Sequence, residues 1–93
     1  MWLKEFSFKN KSLNKLDLSS NNISLFDVHC INLQYLRLNN NEIKEFDMSR
    51  FPNLNTLYLH ENVLENFTLT CENKPKKLTL YNCNLLEQNV HQI

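Results

Sequence analysis

The sequence predicts a mainly β solenoid, with short parallel strands stacked on a concave face and short extended segments closing each coil on the convex face. Three observations point there. The 93 residues include 17 Leu and 16 Asn, a bias toward two residue types that marks a repeat. The spacing Leu-x-x-Leu-x-Leu-x-x-Asn returns every 20 to 21 residues. There is no Gly and no Ala, and so short a period leaves little room for a helix in each coil.

The repeats follow one another along the chain. Leu13, Leu16, Leu18, Asn21 and Ile23 open the first full copy, and Leu33, Leu36, Leu38, Asn41 and Ile43 open the second. Leu54, Leu57, Leu59, Asn62 and Leu64 form the third; Pro75, Leu78, Leu80, Cys83 and Leu85 form the fourth. Within each copy Leu-x-Leu alternates with period two, as a strand does. Strands are expected near Lys15–Leu18, Tyr35–Leu38, Thr56–Leu59 and Lys77–Leu80. Phe26-Asp27-Val28, Phe46-Asp47-Met48 and Phe67-Thr68-Leu69 alternate likewise and are expected as the extended segments opposite. The chain as a whole resembles the leucine-rich-repeat family on these residues. That resemblance implies a solenoid whose concave face binds partner proteins.

The asparagines have a mechanical role. After each strand the chain turns with its backbone buried between coils, where an Asn side chain offers one acceptor and two donors. Asn21, Asn41 and Asn62 are expected to form a structural ladder across the coils, with Cys83 closing it through a weaker thiol.

The ends of the pattern carry their own expectations. Leu3, Phe6 and Phe8 match Ile23, Phe26 and Val28 twenty residues later. The domain therefore divides into a half repeat at 1–12 and repeats at 13–32, 33–53, 54–74 and 75–93. It begins on a convex half, with Met1 at the ladder position and Trp2 after it, which predicts a fragment or truncated product. An uncapped end of this kind predicts self-association through the sheet edge, unless Trp2 and Phe6 cover it. At the other end, Leu85, Leu86, Val90 and Ile93 fit either of two arrangements. One is a fifth convex segment with Gln88 in place of Phe; the other is a short capping helix.

Composition narrows the function. Ten basic side chains balance ten acidic ones, so no partner held by phosphate neutralisation, and hence no nucleic acid, is expected. No run approaches the roughly 18 apolar residues of a membrane helix. Met1-Trp2-Leu3-Lys4-Glu5-Phe6 lacks the apolar core of a secretory leader. Without Gly, phosphate loops, dinucleotide fingerprints and nucleophile elbows are excluded. His29, His60 and His91 fall on different coils, without the spacing of a zinc site. No cofactor and no enzymatic activity are expected. Cys30, Cys71 and Cys83 show no C-x-x-C pair, which favours buried free thiols and a cytoplasmic, reducing location. Three glycosylation triplets, at Asn10, Asn22 and Asn66, are little above what this composition gives by chance.

The outward positions of the strands form columns across the coils. Lys15, Tyr35, Thr56 and Lys77 make one, and Asp17, Arg37, Tyr58 and Thr79 the next. Ser19, Asn39, His60 and Tyr81 make a third, flanked by Ser20, Asn40, Glu61 and Asn82. All three tyrosines of the chain point outward here. Tyr and Arg are the residues enriched at binding hot spots. Tyr35, Arg37, Tyr58, His60 and Tyr81 are therefore the expected contact residues for a protein or peptide partner. The resemblance implies an interaction module, a scaffold or adaptor; the alternative is an extracellular receptor or secreted recognition fragment. Asp27 and Asp47, with Phe51-Pro52-Asn53-Leu54, are in addition similar to repeats of fungal spindle-pole scaffolds in mitotic-exit signalling.

Overall fold

A computed structural model describes residues 4–70 and 74–92 of the chain. Its concave face is one parallel sheet built from β2 (Lys15–Asp17), β4 (Tyr35–Arg37), β6 (Thr56–Tyr58) and β8 (Lys77–Thr79), in that spatial order. The register aligns Leu16, Leu36, Leu57 and Leu78, so each strand takes the step that the repeat spacing dictates. All four strands fall within their expected spans.

The convex side carries β1 (Glu5–Lys9), β3 (Leu25–His29), β5 (Glu45–Asp47), β7 (Asn66–Leu69) and β9 (Val90–Gln92). Phe6 pairs with Phe26 and Phe8 with Val28, the twenty-residue offset of the sequence. Met1, Trp2, Leu3, Cys71 and Ile93 lie outside the described residues. The convex strands form two sheets, β1-β3 and β5-β7-β9. Between them, β5 stops at Asp47, whose carboxylate accepts the Ser49 amide at 2.9 Å and the Ser49 hydroxyl at 2.6 Å. That cap starts a 3-10 turn over Met48–Arg50, which absorbs the extra residue of the second repeat. Met48, expected in the extended segment, is thus the first residue of that turn.

The last coil settles the two C-terminal alternatives. A 3-10 turn over Glu87–Asn89 leads into β9, which pairs with β7 and sets Val90 opposite Phe67. The convex segment is present, but Val90 and not Gln88 takes the phenylalanine position. The turn accounts for the shift of two residues. Its Asn89 amide donates to the Leu86 carbonyl at 2.9 Å, and the Asn89 side-chain oxygen accepts the Leu86 amide at 3.3 Å.

The core lies between the two faces. Leu36, Leu38, Leu57 and Leu59 are fully buried and meet Phe46, Met48 and Phe67 from the convex side. Phe26, Phe46 and Phe67 stack across three coils at ring spacings of 6.3 and 6.4 Å. Burial of this apolar surface is the main favourable contribution to the fold. It weakens toward the last coil, where Leu78 is 36% exposed in the position that Leu36 and Leu57 fill fully buried.

Candidate functional site

Each coil leaves its strand through a residue in the left-handed backbone region. Ser20, Asn40, Glu61 and Asn82 have φ of 58°, 62°, 60° and 54°. A chain without Gly makes these turns with residues that carry a Cβ, at some cost in strain, and Asn tolerates the geometry best. The turn delivers the next residue inward. Asn41 donates from Nδ2 to Leu38 O at 2.9 Å and to Leu18 O of the preceding coil at 3.1 Å. Asn62 repeats this with Leu59 O at 2.9 Å and Leu38 O at 3.0 Å, and its Oδ1 accepts the Ile43 amide at 2.9 Å. Asn21 donates to Leu18 O within its own coil at 3.0 Å.

Cys83 keeps only the donor half of this arrangement. Its Sγ–H points to Leu59 O at 3.0 Å, while the Leu64 amide goes to the Cys83 backbone carbonyl at 3.0 Å. Burial pushes the thiol above its ordinary pKa, so it keeps the proton that it donates. A second set of asparagines, to which the sequence assigned no part in the ladder, joins the coils elsewhere. Asn32 Nδ2 donates to Lys11 O at 2.7 Å and Asn53 Nδ2 to Ile31 O at 3.1 Å. Both stand one position before the first Leu of a repeat, which is the signal that marks them.

These coils set the outward side chains of the concave sheet at fixed intervals. Tyr35 lies beside Thr56 and Arg37 beside Tyr58, so the tyrosines advance diagonally from coil to coil. Tyr35 and Tyr58 meet edge to face at 6.0 Å, closer than the roughly 8 Å of the backbone step, because the rings lean together. His60 fills the interval to Tyr81. Its ring is 6.3 Å from Tyr58, edge-on, and 4.4 Å from Tyr81, stacked at 11°. Its Nδ1 is 2.6 Å from the Thr79 hydroxyl, which also accepts the Leu59 amide at 3.3 Å.

Two cations lie on this stripe. Lys15 Nζ stands 4.9 Å from the centre of the Tyr35 ring, and the Arg37 guanidinium carbon 5.2 Å from that of Tyr58. Asp17 is in register with Arg37 at the margin. Burial raises the pKa of its carboxyl, but the Ser19 amide and hydroxyl and the Arg37 charge outweigh that and hold it below its usual value. Tyr35, Arg37, Tyr58, His60 and Tyr81 thus form one continuous surface. Tyr81 is its exposed end, at 57%. Asn39, in the same column as His60 and Tyr81, is 5% exposed.

The convex side has a concavity of its own, about 300 Å³, lined by Phe26, Val28, Phe46 and Phe51 with Glu45, Asp47 and Arg50 at its polar margin. Arg50 also lies 3.5 Å from the Asp27 carboxylate. Among the described residues there is no group of three His, Cys, Asp or Glu side chains placed to hold a metal, and no helix long and apolar enough to cross a membrane.

The family model described as Leucine Rich Repeat matches residues 12–31 and 32–54, two consecutive copies. This match over two consecutive copies supports a leucine-rich-repeat family, and together with the solenoid fold it supports a protein-interaction module in general. Comparison with curated proteins and with solved structures returns no match.

Proposed function

We propose that the chain is a non-enzymatic scaffold or adaptor module that holds a partner protein or peptide on its concave sheet. The contact residues in this reading are Tyr35, Arg37, Tyr58, His60 and Tyr81. One observation carries it: the aromatic run from Tyr35 to Tyr81 is continuous across three coils and flanked by cations. Such rings are large and rigid, and lose little entropy when a partner covers them. Cys30 and Cys83 are buried free thiols, which supports a cytoplasmic setting. The likeness to fungal spindle-pole scaffolds belongs to the same reading. So does self-association through the outer edge of β2, which among the described residues has a sheet neighbour on one side only.

The test is a partner pull-down with paired variants. Tyr58→Ala and Arg37→Ala should each weaken capture by about 1–2 kcal/mol while leaving the melting temperature nearly unchanged. Lys44→Ala, on the convex side, should have no effect. Loss of the partner in the Lys44 variant with retention in the other two would move the interface to the convex side.

A further inference from the structure

The centre of the concave stripe holds two polar atoms that the fold itself leaves unused. Arg37 Nε and Asn39 Oδ1 are both buried, and neither has a hydrogen-bond partner. Among the described residues no other buried side-chain polar atom is left in this state. The buried side chains of Asn41 and Asn62 use both their donor and acceptor atoms. An unpaired buried polar group is unfavourable, and such costs persist where a binding surface needs the group.

The two atoms are complementary. Arg37 Nε–H only donates, and a side-chain amide oxygen only accepts. They stand two residues apart on one face, about 6.6 Å along the strand direction. A phosphate or carboxylate would supply acceptors to Arg37 and leave Asn39 unmet. An ammonium group would do the reverse. The main chain of an extended peptide presents a carbonyl and an N–H at a repeat close to this spacing, and so meets both.

We propose that Arg37 Nε–H and Asn39 Oδ1 receive the main chain of an extended peptide, the arginine donating to a peptide carbonyl and the asparagine accepting a peptide N–H. The proposal rests on the concave-face reading above and names the class of partner for it. The Arg37 guanidinium now lies over the Tyr58 ring. The incoming peptide draws it off that ring, so Tyr58 is freed to cover a peptide side chain at the step that satisfies Arg37. Specificity for the backbone then comes from the Arg37–Asn39 pair, and specificity for side chains from the tyrosines.

A phage-displayed library of random 12-residue peptides panned on the full 93-residue chain supplies the probe. An enriched peptide is synthesised, and its affinity measured for the parent, Asn39→Leu, Asn39→Ala and Arg37→Lys, each with its melting temperature. Asn39→Leu should melt higher than the parent, having lost an unpaired acceptor, and should bind about tenfold more weakly. Arg37→Lys keeps the charge but lacks Nε–H, and should also bind more weakly. Methylating the peptide's amides one at a time should reveal one position that costs the parent about tenfold and costs Asn39→Leu and Asn39→Ala nothing. Asn39 variants that bind as the parent does, while Tyr58→Ala fails to bind, would overturn the main-chain pairing and leave the concave interface standing. Retention of binding by the Tyr58 variant as well, or a library that enriches no peptide, would overturn both.

Discussion

Asn41 and Ile23 belong to successive coils, and the Asn41 side-chain oxygen accepts the Ile23 amide at 3.0 Å. From the same side chain, Nδ2 donates to carbonyls of both coils. One residue therefore closes the turn of its own repeat and fastens the repeat before it. Solenoid stability is a sum of coil and interface contributions, and Asn41 contributes to both.

Replacing Asn41 by Ala should strand the buried Ile23 amide, while the Leu18 and Leu38 carbonyls lose one donor each and keep those from Asn21 and Asn62. The expected loss is about 1–3 kcal/mol, read from the shift of the urea midpoint. Cys83→Ala should cost less, because the Cys83 backbone already serves the Leu64 amide and only a thiol donor is lost. Equal midpoints for Asn41→Ala and the parent would show that the coils do not depend on this side chain.

Much of the fold can be read from the period of the sequence, and the limits are local. The Leu-x-x-Leu-x-Leu phase fixes the strand register, since a slip of one residue would turn every Leu outward. It places Lys15, Tyr35, Thr56 and Lys77 in one row, as the strand register does. The interruption of the convex sheet is not visible that way, because Phe26-Asp27-Val28 and Phe46-Asp47-Met48 have the same pattern. The difference lies two residues after each Asp. Ser49 caps onto Asp47 and starts a 3-10 turn, whereas His29 sets its imidazole 2.8 Å from Asp27 and the strand continues. For the candidate surface, the outward columns follow from period two. The stacking of His60 on Tyr81 and the unpaired state of Asn39 depend on side-chain packing, which no periodicity records. The left-handed turns were also hidden, because Ser20 and Glu61 do not advertise positive φ as Gly does.

Those turns offer a route to a more stable protein. Ser20 has φ of 58° and lies in the same turn position as Asn40 and Asn82. An L-residue with a Cβ is strained there by about 1–2 kcal/mol, and Asn relieves part of that by local hydrogen bonding. Ser20→Asn should stabilise by about 0.5–1 kcal/mol and raise the melting temperature by a few degrees. Glu61→Asn should gain less, because the Glu61 carboxylate accepts from Asn82 Nδ2 at 2.7 Å and that bond would be lost. A Ser20→Asn variant that melts at or below the parent would mean that backbone strain at this turn is already relieved by other means.

Phe51 and Cys30 occupy one repeat position and should respond very differently to truncation. Both stand three residues before the first Leu of the next repeat, and the carbonyl of each accepts that Leu amide, at 3.0 Å for Leu33 and 3.2 Å for Leu54. Both are buried. Phe51, however, stacks on Phe46 at 5.5 Å and 9° and touches Phe26 at 6.4 Å, so its ring joins two coils of the convex layer. Removing it leaves a ring-sized void beside Phe26 and Phe46, and close-packed neighbours fill such voids only in part. Phe51→Ala should therefore cost about 3–5 kcal/mol, a large share of the stability of a domain this small. Cys30→Ala removes one sulfur and should cost clearly less. Chemical denaturation of the two variants in parallel decides the matter: comparable losses would show that the Phe51 ring contributes little beyond filling its own position, and that the second repeat tolerates its extra residue without the aromatic contact.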